Sequence, residues 1–534
     1  MKKWRGILVI TIVAAGILCL LTTEKSTFSI VINEVCSRNA TLIDDEQYFG
    51  EDYIELYNTT NEPISLKGWF LSDDSENLEK QILPDITIEP NGFHVFYADG
   101  MGEIADTLAF KISQDGESLF LSNPEGQMID QVYVPVMDVN NVYARRTDGN
   151  QKWSILEASL GTTNNDSKEA VRVALDAPKL SHQSGFYDEE FVLTMRAGWG
   201  QTIYYTTDGS TPTKESKIYN GGIVIRNNTD QENVINGVQN IVADWKDYEV
   251  LQTKADKAMV IRAIAMDNKN RISDVVTETY LVDLEKYKEC KVISVTADPE
   301  KLIGDDGIFV TGPEYDQWYV DDPMSMDDTF MIGWTTNYDT TNFWLSDRYN
   351  EVLGNMQIFE NGTEYLNQNT SFRVQGAFNR TKDKKSLQLF ARGVYTGSSL
   401  FDKPVLGNVN SHALYVTAAP EKAYFLELAK DRNLSTQLAE PCVLFLNGEY
   451  WYTAALMEKY DETFFSEHYG VAPENVLYVK DRVSTIGEDY AYLYDDLVNY
   501  LRDESITQEE KAEVLYEVFD VQSFIDWVLF NLYT

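Results

Sequence analysis

From Phe28 to about residue 284 the sequence is a succession of short apolar strands separated by polar turns, and this pattern limits the possible folds most. Residues 53–57 and 259–265 alternate between the two faces of a strand, and Asn, Gly and Pro recur between such segments. Strands at this spacing predict antiparallel sandwiches. With 534 residues, the chain has room for about three or four domains.

The N-terminus has the pattern of an export signal. Lys2, Lys3 and Arg5 precede an uncharged apolar run over residues 6–21, and a basic flank before an apolar run is typical of such signals. The run is short for a membrane-spanning helix, which needs about 17–25 residues, and it lacks an Ala-x-Ala cleavage site. We therefore expect residues 1–25 to be a signal peptide or an N-terminal membrane anchor of an exported bacterial surface protein.

Charge and composition exclude several function classes. The formal net charge of −41 argues against nucleic acid as a partner, because phosphate binding needs a basic surface. Hydrophobic residues make up 43% of the chain, which argues against a largely disordered protein. The four cysteines and four histidines show neither a disulfide framework nor the paired spacing of a histidine metal centre.

Residues 28–166 form the first predicted module. Their strings at 32–35, 52–58, 66–73 and 126–130 resemble the lamin tail domain, which has an immunoglobulin-like fold. The resemblance implies a binding or spacer module rather than an enzyme.

Five residues of this module have predicted roles. We expect Trp69 in the core. Asn33, Glu34, Asp52 and Glu55 lie near strand ends, where their oxygen atoms suit calcium; the alternative is that they cap turns or lie on solvated faces.

Residues 170–284 form the second predicted module. The string from Tyr205 through Asp208 and Gly209 to Pro212 resembles the small β-sandwich at the C-terminus of chitobiases and β-hexosaminidases. Residues 227–257 are longer and more polar than that pattern and predict a loop insertion. The resemblance is to a non-catalytic accessory module, so we expect either sugar binding through exposed tyrosines or a structural spacer.

Residues 285–534 mix strands with helices and form the third predicted region. A strand enters a turn at Gly376, a strand follows Lys384-Lys385, an Asn-Gly turn lies at 447–448, and a glutamate ends a strand at Glu458. In this order the strings resemble the spore-coat protein H (CotH) kinase family. The predicted architecture is two β-sandwich (immunoglobulin-like) modules followed by an α+β atypical protein-kinase-like domain.

Three features predict helices in the third region. The pattern over residues 421–433 favours a helix, and Thr507 begins a capping-box sequence. A last helix follows Asp520. Its apolar stripe is predicted to be core: Val521, Phe524, Ile525, Val528, Leu529 and Leu532.

The basic cluster between Arg380 and Lys385 is the candidate nucleotide site. In an acidic chain it can neutralise a polyphosphate, with Arg making bidentate contacts and Lys acting as a point charge. Lys385 shares a strand face with Leu387 and Leu389, and Lys384 shares the other face with Gln388. If that second face is solvated, Lys385 is the residue expected to point inward. By resemblance to the family, Glu458 is the expected partner of Lys385. The alternative is a solvated basic turn.

The resemblance also implies the chemistry. It implies ATP with Mg²⁺ or Mn²⁺ as cofactors and phosphorylation of an extracellular or envelope protein.

The family's metal-binding carboxylates follow the last helix, and no such string follows it before Thr534. We therefore expect a C-terminally truncated chain without the catalytic aspartates or a metal site. The alternative function is a non-catalytic scaffold that binds cell wall, carbohydrate or protein, with membrane contact through the N-terminal segment.

Overall fold

The computed structural model describes residues 29–533 except 44, 46, 76, 103, 115, 171–174, 247, 269–270, 322–339, 346–349, 393–399, 473–474, 481–482 and 487–491. Two compact units make up the chain: Met1–Ser37 with Glu51–Ala170, and Arg38–Gly50 with Val171–Thr534. The leader predicted at residues 1–25 lies outside the described residues. None of the described helices has the length and apolar run needed to cross a bilayer.

The first unit consists of strands and one short 3-10 turn, Asn164–Asp166. Its strands are β1 (Ile30–Cys36), β2 (Asp52–Asn58), β3 (Ile64–Ser65), β4 (Phe70–Ser72), β5 (Gln81–Ile82), β6 (Thr87–Ile88), β7 (Phe93–Ala98), β8 (Glu117–Ser122), β9 (Met128–Val134), β10 (Asn141–Arg145) and β11 (Trp153–Glu157).

Two antiparallel sheets build this unit. One has the strand order β11-β10-β1-β2-β7, the other β5-β4-β8-β9, and β3 pairs with β6. Both sheets contribute to one core, as expected for an immunoglobulin-like sandwich. Trp69 is 7% exposed and lies in that core, which confirms its predicted role. A β-bulge at Asn33 interrupts the pairing of β1 with β2.

The second unit begins with short strands and then combines strands with helices. Its strands are β12 (Lys179–Leu180), β13 (Gly185–Tyr187), β14 (Phe191–Leu193), β15 (Met195–Arg196), β16 (Thr202–Thr206), β17 (Lys217–Ile218), β18 (Ile223–Ile225), β19 (Met259–Met266), β20 (Val276–Val282), β21 (Lys291–Ala297), β22 (Val352–Glu360), β23 (Thr363–Gln375), β24 (Ser386–Phe390), β25 (Ala413–Thr417), β26 (Ala439–Leu446), β27 (Glu449–Glu458), β28 (Tyr478–Lys480) and β29 (Val483–Ile486). Its helices are α1 (Pro299–Ile303), α2 (Pro313–Asp321), α3 (Glu421–Ala429), α4 (Glu462–Tyr469), α5 (Tyr492–Arg502), α6 (Gln508–Val518) and α7 (Val521–Tyr533).

Seven strands of the second unit form a closed ring in the order β23-β22-β21-β26-β27-β25-β24. The long strand β23 closes it, because residues 363–372 pair with β22 while residues 371–375 pair with β24. Val295, Met356 and Leu389 are fully buried in the core that these strands share. The strands of the second module continue the same hydrogen-bonded sheet through β20 and β13.

The 227–257 segment joins β18 to β19, and its described residues form no strand. It was predicted as a polar loop insertion, yet Ile235, Ile241, Val242 and Ala243 are at most 5% exposed and belong to the core of the seven-stranded ring. The Tyr315 hydroxyl donates to the Ala243 carbonyl oxygen at 3.1 Å. The segment is therefore a structural part of the region that follows it in the chain.

The hairpin turn and the helix caps predicted from the sequence are present, whereas one predicted helix is shorter than expected. Asn447 and Gly448 have φ values of 47° and 82°, the left-handed pair that a tight hairpin requires. Thr507 forms the predicted capping box, and Asp520 Oδ1 accepts from the Ser523 backbone N–H at 2.8 Å. The helix predicted over residues 421–433 ends earlier, at Ala429.

The apolar stripe of the last helix was predicted to be core, and this was wrong for the described structure. Phe524, Ile525 and Leu529 are 49%, 43% and 40% exposed. Helical periodicity identifies an apolar face but does not supply a neighbour to cover it. Part of this face lines an apolar groove of about 570 Å³ against α3.

Candidate functional site

Arg380 holds together the chain around the basic cluster. It lies in the turn after β23, which Gly376 begins with a φ of 120°. Its guanidinium donates to the Gly376 carbonyl at 2.5 Å and to those of Phe343, Trp344 and Leu345 at 3.3, 2.9 and 3.2 Å. With four main-chain acceptors and 9% exposure, Arg380 is a structural clamp in this structure.

Arg380→Ala is expected to lower the free energy of unfolding of the second unit by about 1–3 kcal/mol, because it removes the guanidinium that bonds four carbonyl groups, of which that of Phe343 is buried. Urea denaturation of the full chain measures this. Arg432→Ala, which removes an exposed arginine, is the control and should change stability little. Equal stability of the two variants would contradict the clamp.

Lys385 points inward, as predicted, and is fully buried. Its Nζ donates to the carbonyl oxygens of Arg380 and Lys382 at 2.5 and 3.0 Å and lies 3.8 Å from the centroid of the Phe343 ring. Burial holds the pKa of Lys385 well below its usual value. The expected solvation of the opposite strand face was wrong, because Gln388 is only 5% exposed.

Glu458 is not the partner of Lys385, which corrects the sequence-based expectation. Strand register aligns Leu389 with Leu414, and Leu414 with Glu458. Lys385 precedes Leu389 by four residues, which is roughly 13 Å along a strand. The Glu458 carboxylate instead accepts from the Leu438 backbone N–H at 2.7 Å and lies 2.9 Å from His468 Nε2.

Lys384 is half-buried and contacts the 227–257 segment. Its Nζ donates to Asn236 Oδ1 at 2.5 Å, and Asn236 Nδ2 donates to Glu449 Oε1 at 2.7 Å. Burial lowers the pKa of Lys384. Sequence reasoning missed Asn236 and Glu449, because neither belongs to a motif and they approach Lys384 only through the fold.

In the first unit, the residues considered for calcium are engaged by the protein itself. Glu34 and Glu55 are fully buried and opposite each other on β1 and β2, so they do not lie on solvated faces. The Ser159 hydroxyl donates to Glu34 at 2.6 Å, and the Gly161 N–H donates to Glu55 at 2.7 Å. Asp52 is half-buried at the start of β2. The carboxylates thus bind the loop that follows β11.

Binding of a metal ion requires several donor side chains close together. Within the part of the chain that the structure describes, no group of three or more His, Cys, Asp or Glu side chains is arranged to hold a metal ion. Mg²⁺ and Mn²⁺ need several hard oxygen ligands. The described side chains therefore do not, on their own, fit the metal that the CotH resemblance implies.

Comparison with protein families identifies the modules. Residues 23–135 match the family described as Lamin Tail Domain, residues 192–280 match Fn3 associated, and residues 372–534 match CotH kinase protein. The chain is a multidomain protein with a CotH domain. For the second module, the matching family is described as Fn3 associated, and not as the chitobiase C-terminal module that its sequence resembles.

Two solved structures resemble the chain too weakly to indicate its fold or function. No curated protein matches the chain. A solved structure titled "Biofilm associated protein - BSP domain" is 10% identical, covers 49% of this chain and 68% of its own, and has a TM-score of 0.11. A second solved structure, titled "Crystal structure of Dscam1 isoform 6.44, N-terminal four Ig domains", is 10% identical, covers 50% of this chain and 79% of its own, and has a TM-score of 0.09.

The CotH match contains all four residues predicted to contact a nucleotide: Arg380, Lys384, Lys385 and Glu458. The structure brings the first three together at one end of β24 and places Glu458 elsewhere. Their role toward a nucleotide stays a prediction. Strands β21 and β22 and the 227–257 segment lie outside the match but share the core of the CotH domain.

Proposed function

We propose that the chain is an exported surface protein whose CotH domain binds ATP and, with metal ligands that the described side chains do not supply, serves to phosphorylate an extracellular or envelope protein. The observation that carries this proposal is the CotH match over residues 372–534. Export is supported by the basic start and apolar run of the leader. A substrate outside the cytoplasm follows from export.

Electrostatics supports the basic cluster as the phosphate contact. A chain of net charge −41 repels a polyphosphate over most of its surface, so binding depends on a local concentration of cations. In the cluster, Lys382 is exposed and Lys384 half-buried, whereas Arg380 and Lys385 are buried. Lys382 is thus the ammonium group most accessible to a nucleotide.

ATP with Mg²⁺ or Mn²⁺ is expected to raise the unfolding temperature of the full chain. A ligand at 100 times its dissociation constant stabilises by about 2.7 kcal/mol, which corresponds to a shift of a few degrees. Adenosine, which lacks phosphates, should give no shift. Lys382→Met should reduce the ATP shift, and Lys430→Met, at another exposed lysine, should leave it unchanged.

Absence of any shift with ATP and either metal would contradict the proposal. A chain that shows no shift and is retained by isolated cell-wall material would support a second candidate, a non-catalytic scaffold. Two observations favour that candidate. Arg380, Lys385 and Glu458 are bound to their own chain, and Trp199 is fully exposed in the turn between β15 and β16, as suits a contact residue.

A further inference from the structure

Three side chains meet where the 227–257 segment contacts the seven-stranded ring. The Lys384 Nζ lies 2.5 Å from Asn236 Oδ1, and Asn236 Nδ2 lies 2.7 Å from Glu449 Oε1. An amine, a carboxamide and a carboxylate are therefore in continuous contact. The amine and the amide are 148 residues apart in the sequence.

The Asn236 amide is fixed in one orientation. Its Nδ2 donates to Glu449 Oε1 and, at 3.0 Å, to the Tyr450 carbonyl oxygen, so both acceptors face the nitrogen end. Oδ1 correspondingly accepts from the Lys384 ammonium, which can only donate. Asn236 and Glu449 are 5% and 4% exposed, which keeps water away from the amide carbon.

Glu449 is itself rigidly held. Its Oε2 accepts from the Val234 backbone N–H at 2.7 Å, and its Oε1 accepts from the Asn236 backbone N–H at 2.8 Å. The carboxylate therefore cannot rotate away from the amide nitrogen. A fixed carboxylate beside an amide nitrogen can carry a proton to that nitrogen as it leaves.

We propose that Lys384 and Asn236 form an intramolecular isopeptide bond, with Glu449 as the proton carrier. The Lys384 ammonium gives a proton to Asn236 Oδ1, which it contacts, and the neutral Nζ attacks Asn236 Cγ. The Cγ–Nδ2 bond breaks as Glu449 carries a proton from the attached Nζ to Nδ2, and Nδ2 leaves as ammonium with this proton and the one that Oδ1 returns. Lysine ammonium and carboxamide become a secondary amide and one ammonium ion, so atoms and charge balance without any further reactant.

Position and environment both favour this step. Because Oδ1 is bonded to Cγ at about 1.23 Å, Nζ lies within about 3.7 Å of Cγ, close to the separation of about 3–3.5 Å in a near-attack geometry. Burial lowers the pKa of Lys384, which makes the neutral amine more available. The cluster is thus arranged for reaction as well as for hydrogen bonding.

A neighbouring pair in the same segment provides an internal comparison. Lys257 Nζ donates to Asn233 Oδ1 at 2.9 Å. Asn233 Nδ2, however, donates to the carbonyl oxygens of Leu251 and Thr253 at 3.3 and 2.9 Å, which cannot deliver a proton to a leaving nitrogen. Lys257 and Asn233 are therefore expected to stay unlinked.

The bond would give the second unit a covalent staple. Cys290 and Cys442, the described cysteines of this unit, form no disulfide, so the bond would supply a covalent link that disulfides do not. It would also remove the charge of Lys384, so Lys384 cannot both form the link and contact phosphate. This inference does not rest on the proposed kinase activity, and a failed ATP shift leaves it intact.

Peptide mapping of the purified full chain by mass spectrometry tests the proposal. Trypsin should release a branched peptide that joins residues 227–246 to residues 383–385, lighter than the two by one ammonia. Fragmentation should place the branch between Asn236 and Lys384. Asn236→Ala and Glu449→Gln should abolish the branched peptide, and Asn233→Ala should keep it.

Two results would overturn the proposal. One is a wild-type digest with cleavage after Lys384 and no branched peptide; this result decides the question even if a variant fails to fold. The other is loss of ammonia confined to a linear peptide 227–246, because Asn236 precedes Gly237 and a backbone succinimide also releases ammonia. A branch at Lys257, in a tryptic peptide that spans residues 255–262, would contradict the role assigned to Glu449.

Discussion

Ile241→Ala is expected to lower the free energy of unfolding of the second unit by about 2–5 kcal/mol, the usual cost of truncating a buried isoleucine. Ile241 is 3% exposed and belongs to the core of the seven-stranded ring. It comes, however, from the 227–257 segment of the preceding module. The variant therefore measures how far that segment stabilises the CotH domain.

Val234→Ala is the matched control for this truncation. Val234 lies in the same segment but is 57% exposed, and it donates to the Glu449 carboxylate through its backbone N–H, which the substitution keeps. We expect a change within about 0.5 kcal/mol. Urea denaturation of both full-length variants, followed by near-ultraviolet circular dichroism, makes the comparison. Equal effects would show that the segment lies on the surface and does not belong to the core.

Short-range features of the fold were accessible from the sequence because neighbouring residues determine them. The Asn447-Gly448 hairpin and the Thr507 capping box depend on turn and cap chemistry within a few positions. Closure of the ring was not accessible. It depends on β23 pairing with two different strands, and nothing in its alternation of side chains specifies which strands those are.

In the candidate site, too, some features were predictable from the sequence and others were not. The alternation along β24 predicted that Lys385 points inward, and full burial confirms it. The partner assigned to Lys385 was wrong, because the register of three strands decides the position of Glu458. Asn236 lies 213 residues from Glu449, so only the tertiary structure brings these two to Lys384.

The buried pair Glu34 and Glu55 makes the first unit sensitive to pH. The Tyr53 hydroxyl donates to Glu34 at 2.5 Å, and Asn33 Nδ2 donates to Glu55 at 3.1 Å. Burial, reinforced by the charge of Glu34, raises the pKa of Glu55 to about 8. Burial also raises the pKa of Glu34. The folded unit therefore holds protons that the unfolded chain releases.

This difference predicts the direction of the pH dependence. A carboxyl group whose pKa is higher in the folded state stabilises most below its unfolded value, and that contribution falls as pH rises toward the folded value. Between about pH 5 and pH 8, Glu55 should reduce the free energy of unfolding of the first unit by up to about 1.4 kcal/mol per pH unit. Urea denaturation of the full chain at a series of pH values measures the slope.

Glu55→Gln should flatten this slope, because glutamine resembles the protonated carboxyl group and does not titrate. Glu62→Gln, at an exposed position of the same unit, should preserve it. A steeper loss of stability for wild type than for Glu55→Gln above pH 5 would locate the effect at Glu55. Parallel slopes for the two chains would mean that Glu55 is ionised in the folded unit despite its burial, and that its bonds to Asn33 and Gly161 outweigh the cost of desolvation.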